Sequence, residues 1–206
     1  MTTYPVHYSV DRPARFARLQ LAIRFIAFMA LGVLGLSFGT VFLFAYLALP
    51  VYAASRLGGR DPEGYARHDA PRILNALRWY AALAAWAGLT AEHLPGRSPG
   101  EIVHMEIEGV APTHSAGQAL ARVIYGVPSA LVLALLCWVG MFVWLWAALS
   151  ILFVQRVGEG AFGYLVGLQR WTMRLLAYQA SLVDDYPPFS FSDAPPPALP
   201  EARVAS

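Results

Sequence analysis

"VIYGVPSALVLALLCWVGMFVWLWAALSILFVQ", residues 123–155, contains no Asp, Glu, Lys or Arg. Neither does "FIAFMALGVLGLSFGTVFLFAYLALPVYAAS", residues 25–55. Charge-free apolar runs beyond about 18 residues read as membrane-spanning. A chain of 206 residues is too small to cover two such helices on every side. Over the whole chain 14% of residues are charged, against about 25% in soluble domains. The expected fold class is therefore mainly α and integral to a membrane.

The runs are longer than one straight crossing needs. A helix over all of 25–55 would measure about 46 Å, against a hydrocarbon core of about 30 Å. Tilt, a bend near Pro50 or Pro128, or ends lying in the interface would absorb the excess. A re-entrant dip near Gly32, Gly35 and Gly39 is a further option. A hairpin inside one run needs roughly forty residues and is not expected.

Working outward, the chain reads as written twice. "VHYSV" at 6–10 resembles "VHMEI" at 103–107, and "LAIRFI" at 21–26 resembles "LARVIY" at 120–125. "SRLGG" at 55–59 pairs with "QRVGE" at 155–159, and "EGYA" at 63–66 with "FGYL" at 162–165. "LRWYAALAAW" at 77–86 pairs with "QRWTMRLLAY" at 169–178. Five matches in the same order predict an internal duplication. The first repeat spans 1–96 and the second 97–191, divided by the turn-forming "LPGRSPGE" at 94–101. Residues 192–206 are Pro-rich, lack a core pattern and read as a disordered tail. Each repeat contains a short alternating strand (4–10, 102–108), an amphipathic lead-in, a long transmembrane helix and a second, Arg-bearing helix (62–91, 161–183).

The second helices leave the topology open between spanning and interfacial. Gly163, Gly167, Arg170, Arg174, Ala177 and Ser181 recur at helical spacing as one small and polar stripe. Such a stripe suits close helix packing in lipid, or a helix lying flat with Arg toward headgroups. Spanning second helices make two hairpins that point the same way, with both strands on one face and able to pair. That arrangement is the one expected here.

The start, "YPVHYSVDRPARFARLQLAIRF", and the end, "GYLVGLQRWTMRLLAYQASLVDDYPPFSF", resemble a bacterial membrane-protein family called domain of unknown function 4389. The second copy is closer to the pattern, since "TAEHLPG" at 90–96 replaces "VDDYPPF". The resemblance implies membrane architecture and carries no activity. The residues of "DDYPPF" read physically as a membrane-exit clamp. Asp184 and Asp185 resist hydrocarbon, Tyr186 suits the headgroup level, and Pro187 and Pro188 end the helix. Phe189 turns back toward the bilayer or the strands.

Net charge is +2 and all fifteen basic residues are Arg. That balance argues against nucleic acid and is compatible with a bilayer surface. The N-terminal stretch does not read as a signal peptide. Cys137 is the single cysteine, so no intrachain disulfide or cysteine metal cluster is expected. No catalytic or nucleotide-binding motif is present. His7 and His104 read as strand residues facing water or headgroups, with a joint metal or proton site across the paired strands as the sharper option. No cofactor, metal or enzyme activity is expected. Arg78, Arg170 and Arg174 are the candidate contacts to anionic lipid, by guanidinium forks on phosphate. The alternative for them is hydrogen bonding to nearby carbonyls.

The function expected is a non-enzymatic scaffold or accessory subunit contacting lipids and partner helices, including through self-association. It would be a multi-pass protein of a bacterial inner membrane. The alternative is a small transporter or lipid-handling protein with a passage between the repeats.

Overall fold

The computed structural model describes residues 4–35, 37–59, 62–108 and 115–192. The chain is mainly helical, with the order β1 (Val6–Val10), α1 (Arg18–Val33), α2 (Phe38–Leu57), α3 (Pro62–Gly64), a π-turn (Tyr65–Asp69), α4 (Ala70–Ala87), β2 (Val103–Ile107), α5 (Ala116–Tyr125), α6 (Val127–Val154) and α7 (Glu159–Gln179). The residues assigned to the Pro-rich tail beyond Ser192 lie outside the described part.

The first apolar run is two helices. Gly35 takes a left-handed φ of +67°, which ends α1. Ser37 then caps α2, its hydroxyl accepting the Thr40 N–H at 3.0 Å. The expected single long helix of the first half is thus broken at a Gly–x–Ser signal embedded in apolar sequence. The second run stays helical over Ala116–Val154, 39 residues. Its one seam is at Gly126, because Pro128 in the first turn of α6 has no N–H to continue the ladder. Gln155 ends it with a φ of 59°.

The two runs are antiparallel. Phe16 N–H donates to the Gln155 carbonyl at 2.9 Å, so the first run begins where the second ends. Phe28 and Trp144 rings lie 5.9 Å apart further along. Tyr46 donates to the Val123 carbonyl at 2.6 Å, beyond the middle. The halves therefore run in opposite senses, unlike the two hairpins pointing the same way. The reason lies in the strands. β1 and β2 pair antiparallel, Val6 opposite Ile107 and Val10 opposite Val103, with Tyr8 opposite Met105 at the centre. Antiparallel pairing sends the chain off the two strands in opposite directions, so the helices that follow them run in opposite senses.

The two runs meet their second helices differently. α2 packs most closely against α5 and touches the α4 region at points, Tyr52 donating to Asp69 at 3.1 Å and Phe38 meeting Tyr80 at 6.4 Å, while α4 packs against α7. Tyr164 donates to the Leu136 carbonyl at 2.8 Å, and Trp171 Nε1 donates to Ser129 Oγ at 2.8 Å, seating α7 along α6. Close approach there depends on Gly140, where a Cβ would stand 2.6 Å from a Leu168 methyl. The strands lie over α4 and α7, with Val6, Tyr8, Val103 and Met105 buried against them.

Candidate functional site: arginine clamps around the strand pair

Three of the nine buried polar residues among those described are arginines: Arg24, Arg122 and Arg174. Arg122, from α5, is 2% exposed. It donates to the carbonyls of Tyr178 at 2.7 Å and Val183 at 2.6 Å, and to Asp184 Oδ1 at 3.0 Å. Its guanidinium lies 4.5 Å from the Tyr178 ring centroid. Arg24, from α1, is 0% exposed. It donates to the carbonyls of Ala91 and Glu92, the latter at 2.8 Å, and lies 5.4 Å from the Trp86 ring centroid. Both arginines hold the chain just after a helix ends on a left-handed residue, Leu89 (φ 60°) after α4 and Ser181 (φ 53°) after α7. The same 6→1 bond closes each end: Thr90 N–H to the Ala85 carbonyl and Leu182 N–H to the Ala177 carbonyl, both 3.0 Å. These turns give arginine what it needs, a cluster of outward carbonyls around one planar fork.

Trp86 and Tyr178, Leu89 and Ser181, and Ala91 and Val183 are each 92 residues apart. So are Arg78 and Arg170, and they act as a second pair. Arg78 Nε donates to the Met105 carbonyl at 2.9 Å, and Arg170 Nε donates to the Tyr8 carbonyl at 3.0 Å. Each arginine holds the strand from the other half. Arg170 also donates to the Phe191 carbonyl. Arg174, 1% exposed, donates to the carbonyls of Ser190 at 3.2 Å and Ser192 at 3.1 Å and lies over Tyr4. All three arginines singled out from the sequence thus bind main-chain carbonyls inside the molecule.

The "DDYPPF" stretch folds back as a strap along α7. Asp184 pairs with Arg122. The Asp185 carbonyl accepts from Tyr4 at 3.2 Å. The Tyr186 oxygen accepts the Ser129 N–H at 3.1 Å, serving the first turn of α6. Pro187 is buried and Pro188 half-buried. Phe189 meets the Trp171 ring edge-on at 5.5 Å, and Phe191 sits over Gly167.

Beneath the strands, Gln169 accepts from the Tyr8 and Thr90 hydroxyls, both at 3.0 Å, and donates to the Ala84 carbonyl at 3.2 Å. Burial pushes the Tyr8 phenol well above its ordinary range, with Arg170 acting the other way. On the outer face, His7 stands 3.7 Å from Glu108 and His104 stands 3.4 Å from Asp11. His7 lies opposite Glu106 and His104 opposite Ser9, so the two histidines are diagonal across the strands and each stands beside a carboxylate. Among the described residues no three His, Cys, Asp or Glu side chains gather as a metal site.

Arg24 and Arg122 escaped the sequence reading, although both lie in the matched segments "LAIRFI" and "LARVIY". Sliding that match by one residue sets them in register, 98 apart. A cavity of about 900 Å³ opens between the long helices and α7, lined by Phe28, Phe38, Tyr80, Trp138, Leu168 and Gln169 among others. No curated protein and no solved structure matches the chain. Residues 117–190, from α5 to the strap, match the family model described as a domain of unknown function (DUF4389), which supports the family resemblance over that part of the chain.

Proposed function

We propose that this protein is a membrane-embedded, non-enzymatic scaffold or accessory subunit. In this reading it is built from two copies of one strand–helix–helix unit and holds lipid and partner helices against its long helices. The observation that carries it is the exposed surface of α1, α2 and α6. α6 buries one stripe, Ser129, Leu133, Gly140, Ala147 and Ile151. Around the rest it presents Leu135, Trp138, Phe142, Trp146 and Phe153 to the outside, Phe153 at 73%. α1 and α2 add Phe25, Met29, Val33, Phe44 and Val51. Soluble monomers rarely expose contiguous apolar patches beyond a few hundred Å². Lipid tails solvate such a surface without penalty.

The duplication is supported by geometry as well as by sequence. Paired arginines at matched positions bind matched carbonyls, and the strand register is centred on matched residues. The scaffold role is supported by where the arginines go, since Arg24, Arg78, Arg122, Arg170 and Arg174 each donate to the chain's own backbone. A bacterial inner membrane is the setting the family resemblance suggests. The second reading, lipid handling through a passage between the halves, is favoured by the apolar cavity beside α7. Flotation of washed membranes from expressing cells, before and after alkaline carbonate, tests the membrane reading. Retention after carbonate supports it, and release of monodisperse protein into detergent-free buffer overturns it.

A further inference from the structure

We infer that the long helices lie along one face of the bilayer, with the strand pair facing water, and do not cross it. This rests on the membrane reading above and assigns its orientation. Arg78 and Arg170 stand near the middle of α4 and α7 and hold the central residues of the strand pair. The strands are therefore level with the middle of the bundle. Tyr164 and Trp171 bracket Arg170 and contact Leu136 and Ser129, so the strands lie level with the interior of the charge-free run 123–155. Tyr80 meets Phe38, which places Arg78 level with the interior of 25–55.

The side matters as much as the level. Leu168 faces α6 at Gly140, and Arg170 points roughly 200° further round α7, toward β1. The strands thus cover the side of α7 away from α6. Their outer face is polar, with Ser9, His104 and Glu106 exposed. The Asp11 and Glu108 side chains flanking it are 95% and 77% exposed. If the helices crossed, the exposed carboxylate of Glu106, next to the strand centre, would stand within the span, where ionised groups are strongly disfavoured. If the helices lie flat, the strands and carboxylates face water and the apolar surfaces of α1, α2 and α6 face the tails. Both ends of the bundle then reach one headgroup layer, and each carries ion-paired arginine, Arg12 with Glu159 at one end and Arg56 with Asp69 at the other.

The test uses the full chain with Cys137→Ser and single cysteines replacing Leu131, Leu145, Phe153 or Ser9. Each is spin-labelled and placed in phosphatidylcholine–phosphatidylglycerol vesicles. Depth is read from collisions with oxygen and with a water-soluble nickel chelate. Flat helices give the three α6 labels one depth within about 5 Å, shallow in the tails, with the Ser9 label fully accessible to nickel. Crossing helices separate Leu131 and Leu145 by about 21 Å in depth and shield Ser9, which overturns the inference while keeping the membrane reading. Nickel access at all four labels overturns both.

Discussion

Arg122→Gln is the sharpest probe of how the chain after α7 is held to α5. The guanidinium makes two hydrogen bonds to buried carbonyls and one to the Asp184 carboxylate, and stacks on Tyr178. Removing one partner of a buried ion pair costs about 3–5 kcal/mol. The Asp184 side chain is 33% exposed, so water partly recovers its charge, and the lower end of that range, about 3 kcal/mol, applies. At roughly 2–4 °C per kcal/mol for a chain of this size, the midpoint in mild detergent falls by about 6–12 °C. Thermal unfolding followed by intrinsic fluorescence measures it. Asp184→Asn costs less alone, and the double variant loses less than the sum, because one interaction is counted in both. A fall of under 2 °C for Arg122→Gln, or strict additivity, would refute the clamp as a stabilising contact. Arg24→Gln serves as the matched comparison. It has two backbone acceptors and no carboxylate hydrogen bond, and loses less.

Gly140→Val drives side-chain atoms into Leu168 and should separate α6 from α7, costing about 1–3 kcal/mol, read as a lowered unfolding midpoint. Gly167→Ala places a Cβ 2.6 Å from Phe191 Cγ. It should lift the strap and raise the rate of proteolysis around 189–192 with little change in helicity. Tyr8 titrates higher in the folded chain than its ordinary value of 10.0. Its contribution to stability is therefore complete below pH 10 and is lost as pH rises above it, where only the unfolded chain ionises. Tyr8→Phe should flatten that alkaline loss in a pH series of unfolding midpoints, and an unchanged slope would count against it.

The strands were legible because apolar and polar residues alternate in both segments, and their pairing followed from having two of them. The second helices and their arginines were legible as a stripe. The sense of the halves was not, since periodicity along a chain carries no direction in space. An antiparallel register centred on Tyr8 and Met105 decides it, and that register appears only once the strands meet. The break at Gly35 and Ser37 had a local signal, a left-handed residue and a cap, hidden by an apolar run read as a whole. Arg24 and Arg122 stand immediately before those runs in the sequence. Their role depends on carbonyls freed some 60 residues away at the ends of α4 and α7, a separation that no motif spans.

The central claim is that Trp138 and Trp146, 68% and 65% exposed, are solvated by lipid tails. Tail-brominated phosphatidylcholine quenches an indole only on close contact. In vesicles made with it, the native chain should lose fluorescence. Trp138→Phe with Trp146→Phe should remove most of that loss, while Trp171→Phe, which deletes a buried indole, should not. Equal fluorescence in brominated and ordinary vesicles, with these two indoles quenched instead by aqueous acrylamide, would contradict the account.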